Sequence, residues 1–118
     1  MKLGKDPLIF IEHILENIND VESFTKKVNK EKFFLDREKQ KAVIHSIEII
    51  GEATRNLPLE FTVKYPHVEW GKIIAMRNKL SHDYFGVDLD IVWKVIQKDL
   101  PSLKKNIQEI REMEKLEK

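Results

Sequence analysis

Apolar residues recur at steps of three and four positions through four long stretches of this chain. In the first stretch they are Leu8, Ile11, Ile14, Ile18 and Val21. This spacing places apolar side chains on one face of an α-helix. No stretch alternates apolar and polar residues, and four glycines and four prolines are too few for the turns of an all-β fold. The sequence therefore predicts an all-α protein, an up-and-down bundle of four main helices.

Length and charge restrict the chain further. Its 118 residues predict a single domain over residues 1–118, with residues 111–118 as a frayed tail. Lys and Arg total 21 against 20 for Asp and Glu, which argues against a polybasic nucleic-acid coat and leaves room for a local nucleic-acid site. The absence of cysteine excludes disulfides, a thiol nucleophile and cysteine-based metal sites.

The sequence shows no targeting or membrane segment. Its most apolar early stretch, residues 8–11, is interrupted by Glu12 and His13, so it matches neither a signal peptide nor a membrane span. We therefore expect a cytoplasmic protein without membrane association.

Capping residues mark where the first helices begin and end. Asp6 and the proline after it predict the start of the first helix, which ends near Phe24. Residues 29–34 form a charged connector or a short turn of helix. Asp36 begins a second long helix, which ends at Leu57 before a proline. A loop or a single helical turn then covers residues 58–66.

The second half of the chain predicts two further helices. The third starts near Val68 and gives out around Gly86, where glycine can adopt a left-handed cap. Asp88 or Asp90 caps the last helix. Pro101 lies inside the apolar pattern of that helix and should kink it or split it into two segments.

Gly51 interrupts the apolar pattern of the second helix. A glycine inside a helix costs about 1 kcal/mol relative to alanine, so we expect a close approach of another helix to compensate. Glu48 and Glu52 are one turn apart beside it. Such glutamates are usually only exposed, and a minor role in lining a cleft stays open for them.

The stretch from Arg77 to Tyr84 carries most of the chemistry. On a continuous helix Arg77 lies within about 20° of Trp70, so an arginine falls on the apolar stripe. Asn78 and His82 share another face of the helix. His82 is about 140° around the helix from Arg77. Arg77 and His82 can meet one ligand if the helix loosens before His82, if Arg77 reaches around, or if a second subunit completes the site. The plainer reading is a helix end whose cations suit the helix dipole and whose tyrosine packs in the core.

The motif Arg77-x4-His82-x-Tyr84, with Asn78 after the arginine, resembles the signature of the HEPN superfamily. More narrowly it is similar to the HepT-like toxins, which are encoded beside minimal nucleotidyltransferase antitoxins. The flanking segments that share this similarity are residues 47–53, 65–66, 76–78, 84–88, 91–93 and 99–101. The resemblance extends from about Asp6 to Ile110.

The resemblance implies a HEPN-type bundle that acts as a metal-independent endoribonuclease, without a cofactor and as a homodimer. The residue types suit RNA cleavage: His82 can act as base or acid, Arg77 can grip phosphate oxygens, and Asn78 can orient His82 or the phosphate. One motif supplies one histidine while cleavage needs two proton transfers. A two-fold dimer joined along the motif helix and the last helix would supply the second.

The resemblance also implies how the enzyme is controlled. In a type VII-like toxin–antitoxin pair, the nucleotidyltransferase antitoxin would transfer AMP to Tyr84 and silence the toxin. The alternative is a non-catalytic HEPN helical subunit that binds nucleotide or the partner enzyme. His13, His45 and His67 show no metal-ligand spacing and are expected to be surface or packing residues. Trp70 and Trp93 are expected to anchor the core or an interface.

Overall fold

Helices account for most of the residues that the computed structural model describes, which are 6–82 and 88–117, without the side chains of Ser81 and His82. They are α1 (Pro7–Thr25), α2 (Lys30–Leu35), α3 (Arg37–Arg55), α4 (Leu59–Thr62), α5 (Trp70–His82), α6 (Leu89–Lys94) and α7 (Leu100–Leu116). No strand occurs in these residues, so the predicted all-α class is confirmed. No helix in the described ranges is both long enough and apolar enough to cross a bilayer.

Side-chain caps set where the long helices begin. The Asp6 carboxylate accepts a hydrogen bond from the backbone N–H of Leu8 at 2.9 Å, and Asp36 caps α3 in the same way. At α6 the cap is Asp88, whose carboxylate accepts from the N–H of Asp90 at 2.9 Å. These bonds satisfy N–H groups that have no partner inside the helix, so the predicted starts of the first and second helices are confirmed.

Pro101 divides the last helix, as predicted. One wide π-helical turn, Val95–Asp99, joins α6 to α7, and the N–H of Leu100 donates to the carbonyl of Val95 five residues earlier. In a regular helix the ring of Pro101 would collide with the carbonyl four residues before it. The wider turn relieves this collision, so the chain continues as a helix on both sides of the proline.

The core lies where α1, α3, α5 and α7 face one another. α3 packs against α1 on one side and against α5 on the other, and α1 also packs against α7. Fully buried side chains from these helices include Ile11, Ile14, Ile18, Val43, Ile47, Ile50, Ile107 and Ile110. These are the residues that recur every three or four positions in the sequence, which is why the apolar pattern predicts the bundle.

The end of α7 is held against the connection between α4 and α5. The Lys64 ammonium lies 2.8 Å from Glu114 and 3.2 Å from Glu117, and the buried Tyr65 donates a hydrogen bond to Glu114. α7 thus stays helical through most of the segment for which the sequence predicted a frayed tail. The sequence did not indicate this cluster, because its residues are about fifty positions apart.

Candidate active site

Arg77 leaves α5 toward α3 and passes over α3 at Gly51. A Cβ atom on Gly51 would lie 2.5 Å from Cγ of Arg77 and 3.3 Å from its Cδ. These distances are shorter than van der Waals contact, so no larger residue fits at position 51 without moving the arginine. The close approach predicted from Gly51 is confirmed, and the approaching group is the aliphatic part of Arg77.

Two neighbours hold the guanidinium group beyond this crossing. Nη1 of Arg77 donates a hydrogen bond to Oδ1 of Asn78 at 2.8 Å, and Nη2 lies 3.3 Å from Oε1 of Glu52. The Arg77 side chain is 26% exposed. Its Nε is buried, and no acceptor in the described part of the chain reaches it. The charge on the apolar stripe of α5 is therefore compensated within the chain, and part of the guanidinium still faces solvent.

The hydrogen bond to Asn78 sets the direction in which the Arg77 guanidinium points. α5 continues without a break as far as His82, so the helix does not loosen before that residue. Asn78 is about 100° further around α5 than Arg77, on the face that also carries position 82. By bonding Asn78, the guanidinium is drawn toward that face. The Arg77 guanidinium therefore points toward the side of α5 that carries position 82.

Glu52 is more than the minor cleft residue that its sequence position suggested. Its Oε1 is near two guanidinium groups, that of Arg77 and, at 3.9 Å, that of Arg55. The signal in the sequence was its position next to Gly51. The sequence alone could not show which helix crosses at that glycine, and so could not pair Glu52 with Arg77.

This arrangement suits an anionic ligand. Asn78 accepts one N–H of the Arg77 fork and Glu52 lies beside Nη2, so N–H groups on the two Nη atoms are left that can donate to phosphate oxygens. His82 is the last residue of α5. Tyr84, the proposed modification site, lies outside the described residues.

The other three histidines lie on the surface. His13, His45 and His67 are exposed, as expected of surface residues. His13 and His45 border a shallow cleft of about 420 Å³ between α1 and α3. Within residues 6–82 and 88–117, no three or more His, Asp or Glu side chains come together in a way that could hold a metal ion.

Both tryptophans anchor the core. The indole N–H of Trp70 donates to the backbone carbonyls of Thr62 at 3.2 Å and of Tyr65 at 3.1 Å. The ring of Trp93 lies 5.5 Å from that of the buried Phe33. Trp70 therefore ties α5 to the preceding turn of the chain.

A groove of about 650 Å³ separates α5 from the last helix. Its floor is apolar and includes Ile73 and Leu80 of α5 together with Val95, Leu100 and Leu103. Its rim carries both signs of charge, from Lys72, Lys79, Lys94, Glu69 and Asp99. In the part of the chain that the structure describes, this groove runs along the helix that carries Arg77, and no residue of α3 lines it.

The sequence model described as "Ribonuclease HepT-like" matches residues 14–110 of this chain, and these residues include Glu52, Arg77, Asn78 and His82. The chain belongs to the HepT-like ribonuclease family. No solved structure matches it.

Named relatives agree with membership of the HepT-like family. A Thermococcus cleftensis protein named "Probable ribonuclease HepT" is 42% identical over 102 residues, which are 86% of this chain and 93% of the relative. A Methanocaldococcus jannaschii protein named "Gamma-glutamylcyclotransferase and putative RNase" is 48% identical over 116 residues. That match covers 98% of this chain but only 51% of the relative, so the chain spans about half of that protein.

Proposed function

We propose that this HepT-like chain is the toxin ribonuclease of a type VII-like toxin–antitoxin pair and cleaves RNA without a metal ion. The observation that carries the proposal is the Arg77 guanidinium, which is led over Gly51 and held by Asn78 on the face of α5 that includes position 82. Cleavage of a phosphodiester is helped by a cation that stabilises the phosphorane and by an acid–base group, and Arg77 and His82 are the residue types for these two roles.

The proposed reaction is attack of a ribose 2′-oxygen on the adjacent phosphorus. One imidazole of a His82 residue takes the 2′-hydroxyl proton, and the new O–P bond gives a phosphorane whose charge Arg77 stabilises. The bond from phosphorus to the 5′-oxygen then breaks, and a protonated imidazole gives its proton to that oxygen. The products are a 2′,3′-cyclic phosphate and a free 5′-hydroxyl. Asn78 keeps Arg77 in place and has its amide N–H groups left for the phosphate or for His82.

We propose a homodimer because the two proton transfers call for two histidines and each chain supplies one at this site. We propose that the seam lies along α5 and the last helix, on the two sides of the groove between them. Since its rim holds lysines and carboxylates together, two copies can approach without the repulsion that a rim of one sign would cause.

Control is proposed to act on Tyr84, two residues after His82. A nucleotidyltransferase antitoxin would transfer AMP to the phenol oxygen, with pyrophosphate leaving from ATP. The added phosphate would pair with Arg77 and repel the RNA backbone. Inhibition in this form needs no change of fold.

The test is cleavage of RNA by the purified protein in the presence of a chelator. We expect wild type to cut and His82→Ala to be inactive while remaining a folded dimer by circular dichroism and sedimentation. Activity that disappears in chelator, or that survives in His82→Ala, would refute the mechanism. RNA or nucleotide binding without any cleavage would instead favour the non-catalytic HEPN subunit.

A further inference from the structure

Arg77 is held at both ends of its side chain by residues of α3. Its aliphatic part lies on Gly51, and its guanidinium lies beside Glu52, the next residue of the same helix. A free arginine side chain has about 2 kcal/mol of rotamer entropy, so it does not stay in one place unless something holds it. Gly51 and Glu52 together fix where the guanidinium group stands relative to α5.

Glu52 also separates two like charges. Its Oε1 is 3.3 Å from Nη2 of Arg77 and 3.9 Å from Nη1 of Arg55. Without the carboxylate, the two guanidinium groups would repel each other across the same place. Arg77, with solvent on one side, could then swing away from Asn78.

Stability alone is a weak explanation for the ion pair between Glu52 and Arg77. A second surface ion pair provides a comparison. Glu22 and Lys104 are 2.7 Å apart, with side chains 48% and 27% exposed, against 52% and 26% for Glu52 and Arg77. Exposed pairs of this kind contribute about 0–1 kcal/mol to folding. The Glu22 pair therefore matches the Glu52 pair in side-chain exposure, although its cation is a lysine, and it joins α1 to α7 instead of α3 to α5.

We infer that Glu52 is a positioning residue for RNA cleavage, which keeps the Arg77 guanidinium beside Asn78 where the scissile phosphate binds. This inference rests on the proposed ribonuclease function. It predicts opposite effects of a Glu52 substitution on RNA binding and on cleavage, because Glu52 is also a negative charge close to the phosphate. Removing the charge should strengthen RNA binding and at the same time slow cleavage, whereas a merely structural role would weaken both or neither.

The experiment compares Glu52→Gln, Glu52→Asp and the matched control Glu22→Gln. For Glu52→Gln we expect kcat to fall roughly tenfold, which corresponds to about 1.4 kcal/mol of activation free energy. RNA affinity, measured in a His82→Ala background so that no substrate is cut, should rise about twofold from the loss of one screened like charge. Glu52→Asp keeps the charge and loses reach, so its RNA affinity should stay at the wild-type value and its kcat should be intermediate. Glu22→Gln should change neither quantity.

A spectroscopic readout separates this inference from the proposed function. The Nε–H of Arg77 is buried, so its ¹⁵N signal should show slow hydrogen exchange in wild type and in Glu22→Gln, and faster exchange in Glu52→Gln. If wild type cuts RNA and Glu52→Gln has normal kcat or normal Nε–H protection, the positioning role is wrong. If wild type does not cut RNA at all, the proposed function fails. Faster Nε–H exchange in Glu52→Gln would still show that Glu52 holds the Arg77 side chain in place.

Discussion

The side chain of Arg77 fills the space that a side chain at Gly51 would need, since a Cβ atom on the glycine would lie 2.5 Å from Cγ of the arginine. The glycine costs α3 about 1 kcal/mol of helix propensity. In return the arginine can cross α3 and place its charge beside Glu52 and Asn78 instead of burying it in the bundle. This one contact links the packing of two helices to the geometry of the candidate site.

Gly51→Ala should therefore destabilise the protein although alanine is the better helix former. We expect a loss of about 1–3 kcal/mol in the free energy of unfolding, because Arg77 has to shift from an overpacked site. Gly71 is the matched control: a Cβ atom there would meet nothing within 4 Å, and Gly71→Ala should add up to about 1 kcal/mol. Urea denaturation of both variants measures the difference. Equal effects of the two substitutions would show that position 51 tolerates a side chain.

The Tyr65 cluster predicts how stability depends on pH. Burial, and then the hydrogen bond to Glu114, raise the pKa of Tyr65 to about 12. Burial acts to raise the pKa of Glu114, but the hydrogen bonds from Lys64 and Tyr65 outweigh it and hold that pKa below its usual value. The contribution of Tyr65 to the free energy of unfolding is present below pH 10 and is lost as pH rises from about 10 to about 12. The Glu114 contribution is present above pH 4.5 and is lost as pH falls through the lowered pKa.

Tyr65→Phe should reduce the alkaline part of this dependence and cost about 1–3 kcal/mol at neutral pH, since Glu114 loses a donor where it is shielded from water. Part of the alkaline loss should remain, because Glu114 and Glu117 also raise the pKa of Lys64. The free energy of unfolding from pH 3 to pH 11 measures both effects. An alkaline loss that is unchanged in Tyr65→Phe would assign that titration to another group.

Asn78 offers a test of its amide N–H groups that keeps the contact with Arg77. Its Oδ1 accepts from Arg77, so its Nδ2 is the part free to donate to a phosphate or an imidazole. Asn78→Asp keeps the acceptor, replaces the donor and adds a negative charge. We expect Asn78→Asp to lower kcat/KM for RNA at least tenfold with little change in thermal stability, and Asn78→Ser to be less damaging. Wild-type kinetics in Asn78→Asp would show that the amide N–H groups have no role.

The sequence predicts features that depend on residues close together in the chain better than contacts between distant residues. Asp6, Asp36 and Pro101 act on their own helices, so the helix starts and the divided last helix could be predicted from local chemistry. Gly51 predicted a close approach without saying what approaches. The pairs Arg77–Glu52 and Lys64–Glu114 join residues 25 and 50 positions apart. Such pairs depend on how helices pack, and no spacing along the chain indicates them.

Tyr84→Phe should separate cleavage from control. Because the proposed mechanism uses no phenol, this variant should keep most of its RNase activity, and because it lacks the acceptor oxygen it should escape the antitoxin. Co-expression with a nucleotidyltransferase encoded beside it, followed by mass spectrometry, measures the adduct on each protein. An adduct on another residue alone, or silencing of Tyr84→Phe by modification, would overturn this form of control.

A mixed dimer tests whether two histidines share one cleft. Wild-type and His82→Ala chains carrying different affinity tags can be co-expressed, and the dimer that holds one of each can be purified through both tags. If each chain cleaves RNA alone, this dimer should have half the activity of the wild-type homodimer. If one histidine takes the 2′-hydroxyl proton and the other protonates the leaving 5′-oxygen, the mixed dimer should fall to about 1% or less, since loss of a general acid or base costs about 10²- to 10⁴-fold. Half activity would show that the dimer has no role in catalysis. Another group of the same chain would then carry out the second proton transfer.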